Sequence, residues 1–347
     1  MGDFVKYHAL GNDYLIIDPR RVDVPASGAT ARLLCDRRYG VGADGLLVGP
    51  VGPVTPGEPV ELLIFNSDGS PCGRSGNGIR IFADHLLGRE PQLGDGPSGR
   101  GLTVRTASGT SRVEITTPGT VRITLDAPTI TTTDPIPSDP AQFDPASSGP
   151  AQFDPVHPGP ASSGPMQSGP MQSGPMQSGP VRSGQHRERL LRPLSVGGRH
   201  LPVLVLDNGN PHVVVPLSAV DRAVAERWGE PIASHPDFPG RTNVEFLRVT
   251  ERGLIEIEVW ERGAGYTTAS GSGACAAASA AHALGLIDDR VLVRMPGGAV
   301  EVDIAPDGTV GLTGPVAEVF TGLLGGELRT RLTAERRSST PVAEPVP

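Results

Sequence analysis

Aromatic side chains are scarce. Phe, Trp and Tyr make up 4% of the 347 residues, so a core has to be assembled from Val, Ile, Leu and Ala. That composition suits β-branched strands packed on small-residue helices better than an aromatic-rich binding module. Lysine is nearly missing: Lys6 stands alone and the remaining cationic side chains are arginines. The net charge is −8 and no long basic run occurs, which leaves no electrostatic footprint for a nucleic-acid partner. Three cysteines, Cys35, Cys72 and Cys275, fit neither a disulfide framework nor the spacing of a zinc site. No apolar run reaches the roughly 18 residues of a membrane helix. No charged segment with a hydrophobic core opens the chain, so a cytoplasmic protein with no membrane partner is expected.

What is present falls into ordered and low-complexity parts. From about residue 131 to 185 the sequence repeats itself: "AQFDP" occurs at Ala141 and Ala151, and "PMQSG" three times from Pro165. Such a stretch has too little apolar surface to offset its ordering entropy and is expected to be a disordered insertion. The tail over 328–347 is expected to be disordered as well.

Elsewhere strands dominate. "VELLIF" (Val60–Phe65) reads as a buried run, while "LTVRTA", "SRVEIT" and "TVRITL" alternate and are joined by turn residues such as Pro118-Gly119. "LPVLVL", "HVVVPL", "NVEFLRV", "LIEIEVW", "RVLVRM", "AVEVDI" and "TVGLTG" continue the pattern after the insertion. Three helices are legible. One follows Gly76, with Ile79, Phe82, Leu86 and Leu87 on one face; one, rich in alanine, follows Gly273; one covers "AVDRAVAERW".

The two clearest helices open alike. Ser75-Gly-Asn-Gly and Ser270-Gly-Ser-Gly each follow a strand and a polar loop, and each helix ends at Leu-Gly. A helix start presents unpaired amides and the positive end of its dipole, and glycines let a ligand approach that backbone. A carboxylate or phosphate is the natural guest. Two such ends on one ligand would grip an anion from two sides and set the preceding side chains on its opposite faces.

These residues resemble the diaminopimelate epimerase family, the cofactor-independent amino-acid epimerases. "YHALGNDYLIID", "DRRYGVGADGLL", "FNSDGS", "NGNPHVVV", "RTNVEF", "WERGAG" and "LTGPVAEVF" follow the family's order along most of the ordered chain. The resemblance implies an α/β fold of two pseudo-symmetric domains, each a mostly antiparallel sheet wrapped around a central helix. The first would cover residues 1–120 plus a returning strand at about 315–326. The second would cover 121–314, interrupted by the insertion.

The implied reaction inverts an α-carbon of diaminopimelate, interconverting the LL and meso forms in lysine and peptidoglycan biosynthesis. One residue takes the α-proton and another delivers a proton to the opposite face. The resemblance implies no cofactor, a small-molecule amino-acid substrate and a homodimer. Residue by residue, it implies that Asn12, Asn66, Asn210 and Asn243 contact substrate, as do Glu261 with Arg262. Gly76-Asn77 and Gly271-Ser272 would offer helix-end amides.

The catalytic positions depart from the family. Its two cysteines stand directly before the glycine motifs, where this chain has Ser75 and Ser270. A thiol ionises near a pKa of about 8.5. A hydroxyl weaker by about five units costs roughly 7 kcal/mol more to ionise, at about 1.36 kcal/mol per unit. Serine therefore needs a partner base, and His8 and His212 are the histidines near family motifs. Tyr266 stands where the family has glutamate, and Gly45 where some members present glutamine. Three functions remain open: an epimerase using Ser75 and Ser270, a lyase or dehydratase on the same scaffold, and an inactive amino-acid-binding homologue.

Overall fold

The computed structural model describes residues 2–95, 99–131 and 190–339. Nearly all of the insertion over 131–185, and the tail beyond 339, lie outside the described residues. The architecture is α/β, with eighteen strands and five α-helices among the described residues.

The first half contains β1 (Phe4–Ala9), β2 (Asn12–Ile17), α1 (Gly28–Cys35), β3 (Gly45–Val51), β4 (Val60–Asn66), α2 (Gly76–Arg89), β5 (Gly101–Thr106), β6 (Gly109–Thr117), β7 (Thr120–Leu125) and β8 (Thr129–Thr131). After a short β9 (Arg192–Val196), the second half has β10 (Arg199–Asp207), β11 (Pro211–Pro216), α3 (Arg222–Ala233), β12 (Asn243–Glu251), β13 (Leu254–Glu261), β14 (Gly265–Thr267) and α4 (Gly271–Ala283). It closes with β15 (Arg290–Met295), β16 (Gly298–Ile304), β17 (Val310–Pro315), β18 (Ala317–Gly322) and α5 (Gly326–Ser339).

The halves repeat strand by strand. From β1 to β7 successive pairings run antiparallel, parallel, antiparallel, parallel, antiparallel, antiparallel. The same series runs through β10, β11, β12, β13, β15, β16 and β17. Register sharpens the equivalence, since Tyr14 faces Gly45 in one half and His212 faces Asn243 in the other. Each half also lends a strand to its counterpart. β8 pairs with β10, β18 pairs with β1, and β7 joins β17 where the halves meet.

Each sheet curls around one helix. α4 is buried on nearly every side, and its run of alanines lets strands close over it from all directions. α2 is buried from Asn77 through Leu87 except at Asp84, and both helices share one continuous core. Outer helices cover the outer faces: α3 lies on the second sheet, its Trp228 in one cluster with Phe246 of β12. On the first sheet the cover is α1 together with α5.

Two helices went unseen in the sequence. Ser27 caps α1 by accepting from Thr30 N at 3.2 Å, and its buried Ala31, Leu33, Leu34 and Cys35 supply the core face. The expected disorder over 328–347 is corrected by α5 as far as residue 339. Leu332 is buried and Leu328 packs on the same cluster, so two leucines one turn apart anchor a helix that is otherwise polar.

Candidate active site

Ser75 and Ser270 are the N-caps of the two central helices. Ser75 Oγ accepts from Gly78 N at 3.0 Å and Ser270 Oγ from Gly273 N at 3.2 Å. Both residues have extended backbones, at φ −133° and −139°, so each side chain stands at a helix mouth.

The two mouths meet. A Cβ placed on Gly271 would lie 3.0 Å from Asn77 Oδ1 and 3.6 Å from Asn77 N, so the first turn of α4 rests on the first turn of α2. Gly76, by contrast, has open space where a Cβ would go. Asn77 is nine-tenths buried, and Asn12 reaches it from the β1–β2 turn, accepting from Asn77 Nδ2 at 3.0 Å. That turn is tight: Leu10 and Gly11 both have positive φ, at 53° and 90°. Thr268, just before Ser270, lies against Gly11. Asn12, Gly76, Asn77, Gly271 and both serines are thus gathered in one place.

Each serine has a protein group beside it. Tyr14 Oη is 2.9 Å from Ser75 Oγ, with either hydroxyl able to donate. Burial raises the Tyr14 phenol well above its ordinary value, so it serves as a neutral donor and acceptor. Gly45 makes this contact fit, because a Cβ there would lie 2.5 Å from Tyr14 Cε1. Ser270 lies beside the Glu261 carboxyl, whose pKa is raised by burial while the Ser270 hydroxyl pulls it the other way. Ser272 Oγ is 3.5 Å from Ser270 Oγ, and Asn208 Nδ2 donates to the Ser272 carbonyl at 3.0 Å.

His212 supports the second mouth from behind. It is fully buried, and its Nδ1 is 2.7 Å from Glu245 Oε1. A Cβ on Gly273 would come within 2.9 Å of that same Glu245 oxygen, so the carboxyl sits under the first turn of α4. The equivalent position under α2 is filled by Leu47. Burial raises the Glu245 pKa, with His212 opposing.

The remaining sequence-derived candidates bond within their own surroundings. Asn243 ties two segments together, donating to the Pro211 carbonyl at 3.1 Å and accepting from Arg262 N at 2.9 Å. Arg262 is exposed and its guanidinium reaches the Gly240 carbonyl at 3.4 Å. Asn66 is exposed and turns its amide onto Ser70 of its own loop at 2.9 Å. Asn210 closes the β10–β11 turn, its carbonyl accepting from Asn208 N at 3.3 Å. His8 Nδ1 only accepts from Gly11 N, at 3.4 Å. Tyr266 faces the outer layer: it donates to Glu258 at 2.9 Å, and the Arg222 guanidinium stacks over its ring.

No cysteine replaces the serines as an N-cap. Cys275 lies inside α4 and Cys35 inside α1, and burial pushes each thiol up to about 12. Cys72 donates to the Arg74 carbonyl at 3.2 Å, and burial raises its thiol too. Tyr14, Glu245 and Asn208 are not legible as site residues in the sequence, because their positions depend on strand–helix packing across long separations.

Comparison with known proteins agrees with this architecture. A solved structure of a probable proline racemase from Agrobacterium radiobacter K84, with bound carbonate, superposes with a TM-score of 0.59 at 13% identity, covering 93% of this chain and 92% of that one. The family model for diaminopimelate epimerase matches residues 4–131 and 204–319, on either side of the insertion. Diaminopimelate epimerase 2 of Nostoc sp. (strain PCC 7120) is 34% identical over 327 residues, 94% of this chain and 96% of its own. The diaminopimelate epimerase of Picosynechococcus sp. is 33% identical over 325 residues, covering 92% and 98%. The chain is an isomerase by descent, and it belongs to the diaminopimelate epimerase family.

Proposed function

We propose that this protein inverts an α-carbon of diaminopimelate, or of a closely related amino acid, with Ser75 and Ser270 in the two proton-transfer positions. The observation that carries this is the meeting of two capped helix starts at Asn77 and Gly271. An α-carboxylate held between them receives amides from both sides and the positive ends of both dipoles. Charge that develops on the carboxylate as the α-proton leaves is stabilised by the same donors.

The side chains beside the serines suggest the direction of proton flow. Glu261 accepts the Ser270 proton as that hydroxyl takes the α-proton; Ser75 delivers its own proton to the opposite face and takes up the Tyr14 hydroxyl proton, and solvent then returns a proton to Tyr14 and removes the one on Glu261. The Cα–H bond breaks on one face as a new one forms on the other, and the reverse reaction uses the same groups in exchanged roles. Hydroxyls are far weaker acids than thiols, so turnover slower than that of a thiol pair is expected. The same proposal puts the enzyme in the cytoplasm, in keeping with three cysteines that are all free.

The test is isotope exchange. Purified protein incubated with LL-diaminopimelate in D₂O is expected to place deuterium at the α-carbon and to form the meso isomer. Recovery of unlabelled, uninverted substrate from concentrated protein would remove the proposal.

A further inference from the structure

A chain of side-chain hydrogen bonds runs through the helix mouths, with a cation at one end and a carboxylate at the other. Arg80 is fully buried in α2, and its Nη2 donates to Asn77 Oδ1 at 2.7 Å. Asn77 Nδ2 donates to Asn12 Oδ1 at 3.0 Å, and Asn12 Nδ2 donates to Asp44 Oδ2 at 3.0 Å. Arg37 holds the other Asp44 oxygen at 2.7 Å.

The ends fix the direction of everything between them. A guanidinium can only donate, so Asn77 must turn its oxygen toward Arg80. A carboxylate can only accept, so Asn12 must turn its nitrogen toward Asp44. Both asparagine oxygens are then engaged inside the chain. Each amide nitrogen carries two hydrogens and uses one of them internally. Each asparagine therefore keeps one free N–H, while its oxygen already faces a donor inside the chain.

Arg80 is also a buried cation without a carboxylate partner among the described residues. Its other contact is the Pro315 carbonyl at 3.4 Å, and its Nε has no partner. Burial draws its pKa down to about 10, which still leaves it protonated at neutral pH. An uncompensated buried cation is costly, and a well-packed apolar side chain would serve stability better.

We infer that Arg80 and Asp44 are positioning residues that lock Asn77 and Asn12 as donors toward the site, so that the mouths accept a carboxylate and reject an ammonium group. The bound carboxylate is then the counter-ion that Arg80 lacks, one side-chain amide away. This inference rests on the proposal that the paired mouths bind a carboxylate.

Three variants test it: Arg80→Met removes the donor, Arg80→Lys keeps one, and Asp44→Asn unlocks the exposed end. Binding of LL-diaminopimelate is read by calorimetry, and the side-chain amide signals of Asn12 and Asn77 by NMR without ligand. Arg80→Met is expected to weaken binding about tenfold, the scale of one charge-assisted hydrogen bond, and to collapse the dispersed Asn77 amide signals. Arg80→Lys is expected to restore most of the affinity. Asp44→Asn, which does not disturb the core, is expected to weaken binding several-fold and to move the Asn12 signals. Unchanged affinity and unchanged amide signals in Arg80→Met and Asp44→Asn would overturn the inference while leaving carboxylate binding intact. If the wild type binds no diaminopimelate although its amide signals show the lock, the carboxylate proposal fails and the selectivity falls with it.

Discussion

The Tyr14 hydroxyl lies 2.9 Å from the Ser75 hydroxyl, and the bare Gly45 on the neighbouring strand is what gives its ring room. Removing that hydroxyl takes away the one side-chain partner Ser75 has among the described residues while leaving the ring packed. Tyr14→Phe is expected to leave the affinity for LL-diaminopimelate within about twofold and to slow α-proton exchange by about tenfold or more, as loss of a proton-transfer partner does. Equal exchange rates in the two proteins would show that Tyr14 only packs. Gly45→Ala is expected to act in the same direction and to lower stability, because its methyl meets the ring at 2.5 Å.

The two helix-mouth glycines differ in what surrounds them. At Gly271 a methyl would press on Asn77, at 3.0 Å from its Oδ1, whereas at Gly76 it would meet no protein atom within 4 Å. Gly76→Ala is therefore expected to keep thermal stability within about 0.5 kcal/mol, as tolerated surface changes do. It is expected nonetheless to weaken ligand binding, because the methyl occupies ground the carboxylate needs. Gly271→Ala is expected to cost roughly 1–3 kcal/mol of stability as well as affinity. Melting curves and calorimetry on both variants separate these effects, and full affinity in Gly76→Ala would mean the ligand does not approach the α2 amides.

Glu261 gives the exchange reaction a pH dependence with a definite sign. Burial raises its carboxyl above the ordinary glutamate range, and it must be ionised to accept the Ser270 proton. Exchange at saturating ligand is expected to rise with pH through an apparent pKa above about 4.3, the unperturbed value. Glu261→Gln is expected to remove that limb of the profile and to lower the rate at its plateau. A profile identical in Glu261→Gln would exclude the carboxyl from proton transfer.

Asp13 links the site's framework to stability. Burial alone would raise its carboxyl, but Arg37 and Lys6 outweigh that and bring it down to about 2. Lys6 Nζ is 2.8 Å and Arg37 Nη2 2.7 Å from it, and the Asp44 amide donates to it at 2.9 Å. A depressed folded-state pKa contributes stability that is present above the unfolded value near about 3.9 and disappears as pH falls through about 2. With Arg37 more than half exposed, the contribution is discounted to on the order of 1–2 kcal/mol. Asp13→Asn is expected to melt lower at pH 6 and to lose less on acidification from pH 4 to 2. Parallel curves for the two proteins would contradict this.

What the sequence disclosed follows from which interactions are local. The repeated Ser-Gly-x-Gly before a helix is legible because an N-cap and its amides lie within four residues. The alternating strands are legible for the same reason, and they set the sheet series that both halves share. Tyr14 was not legible as a site residue because it meets Ser75 across 61 positions, through a strand packed on a helix. Arg80 reads in the sequence as one more helix residue; in the fold it is fully buried, with its guanidinium against Gly314 and Pro315 of β17. Glu245 alternates like any strand residue, and its place beneath α4 depends on Gly273 having no side chain. α5 was hidden for a different reason: two leucines supply its whole apolar face, too few to stand out in a charged segment.

Deuterium exchange at the α-carbon of LL-diaminopimelate in D₂O, on the native protein and on the Ser75→Cys, Ser270→Cys double variant, bears most directly on the site. The native protein is expected to exchange slowly. The double variant is expected to exchange and epimerise faster by at least about a hundredfold, since thiols ionise some five units more readily than hydroxyls. Absence of both exchange and binding in the two proteins would contradict an amino-acid site at the paired helix mouths.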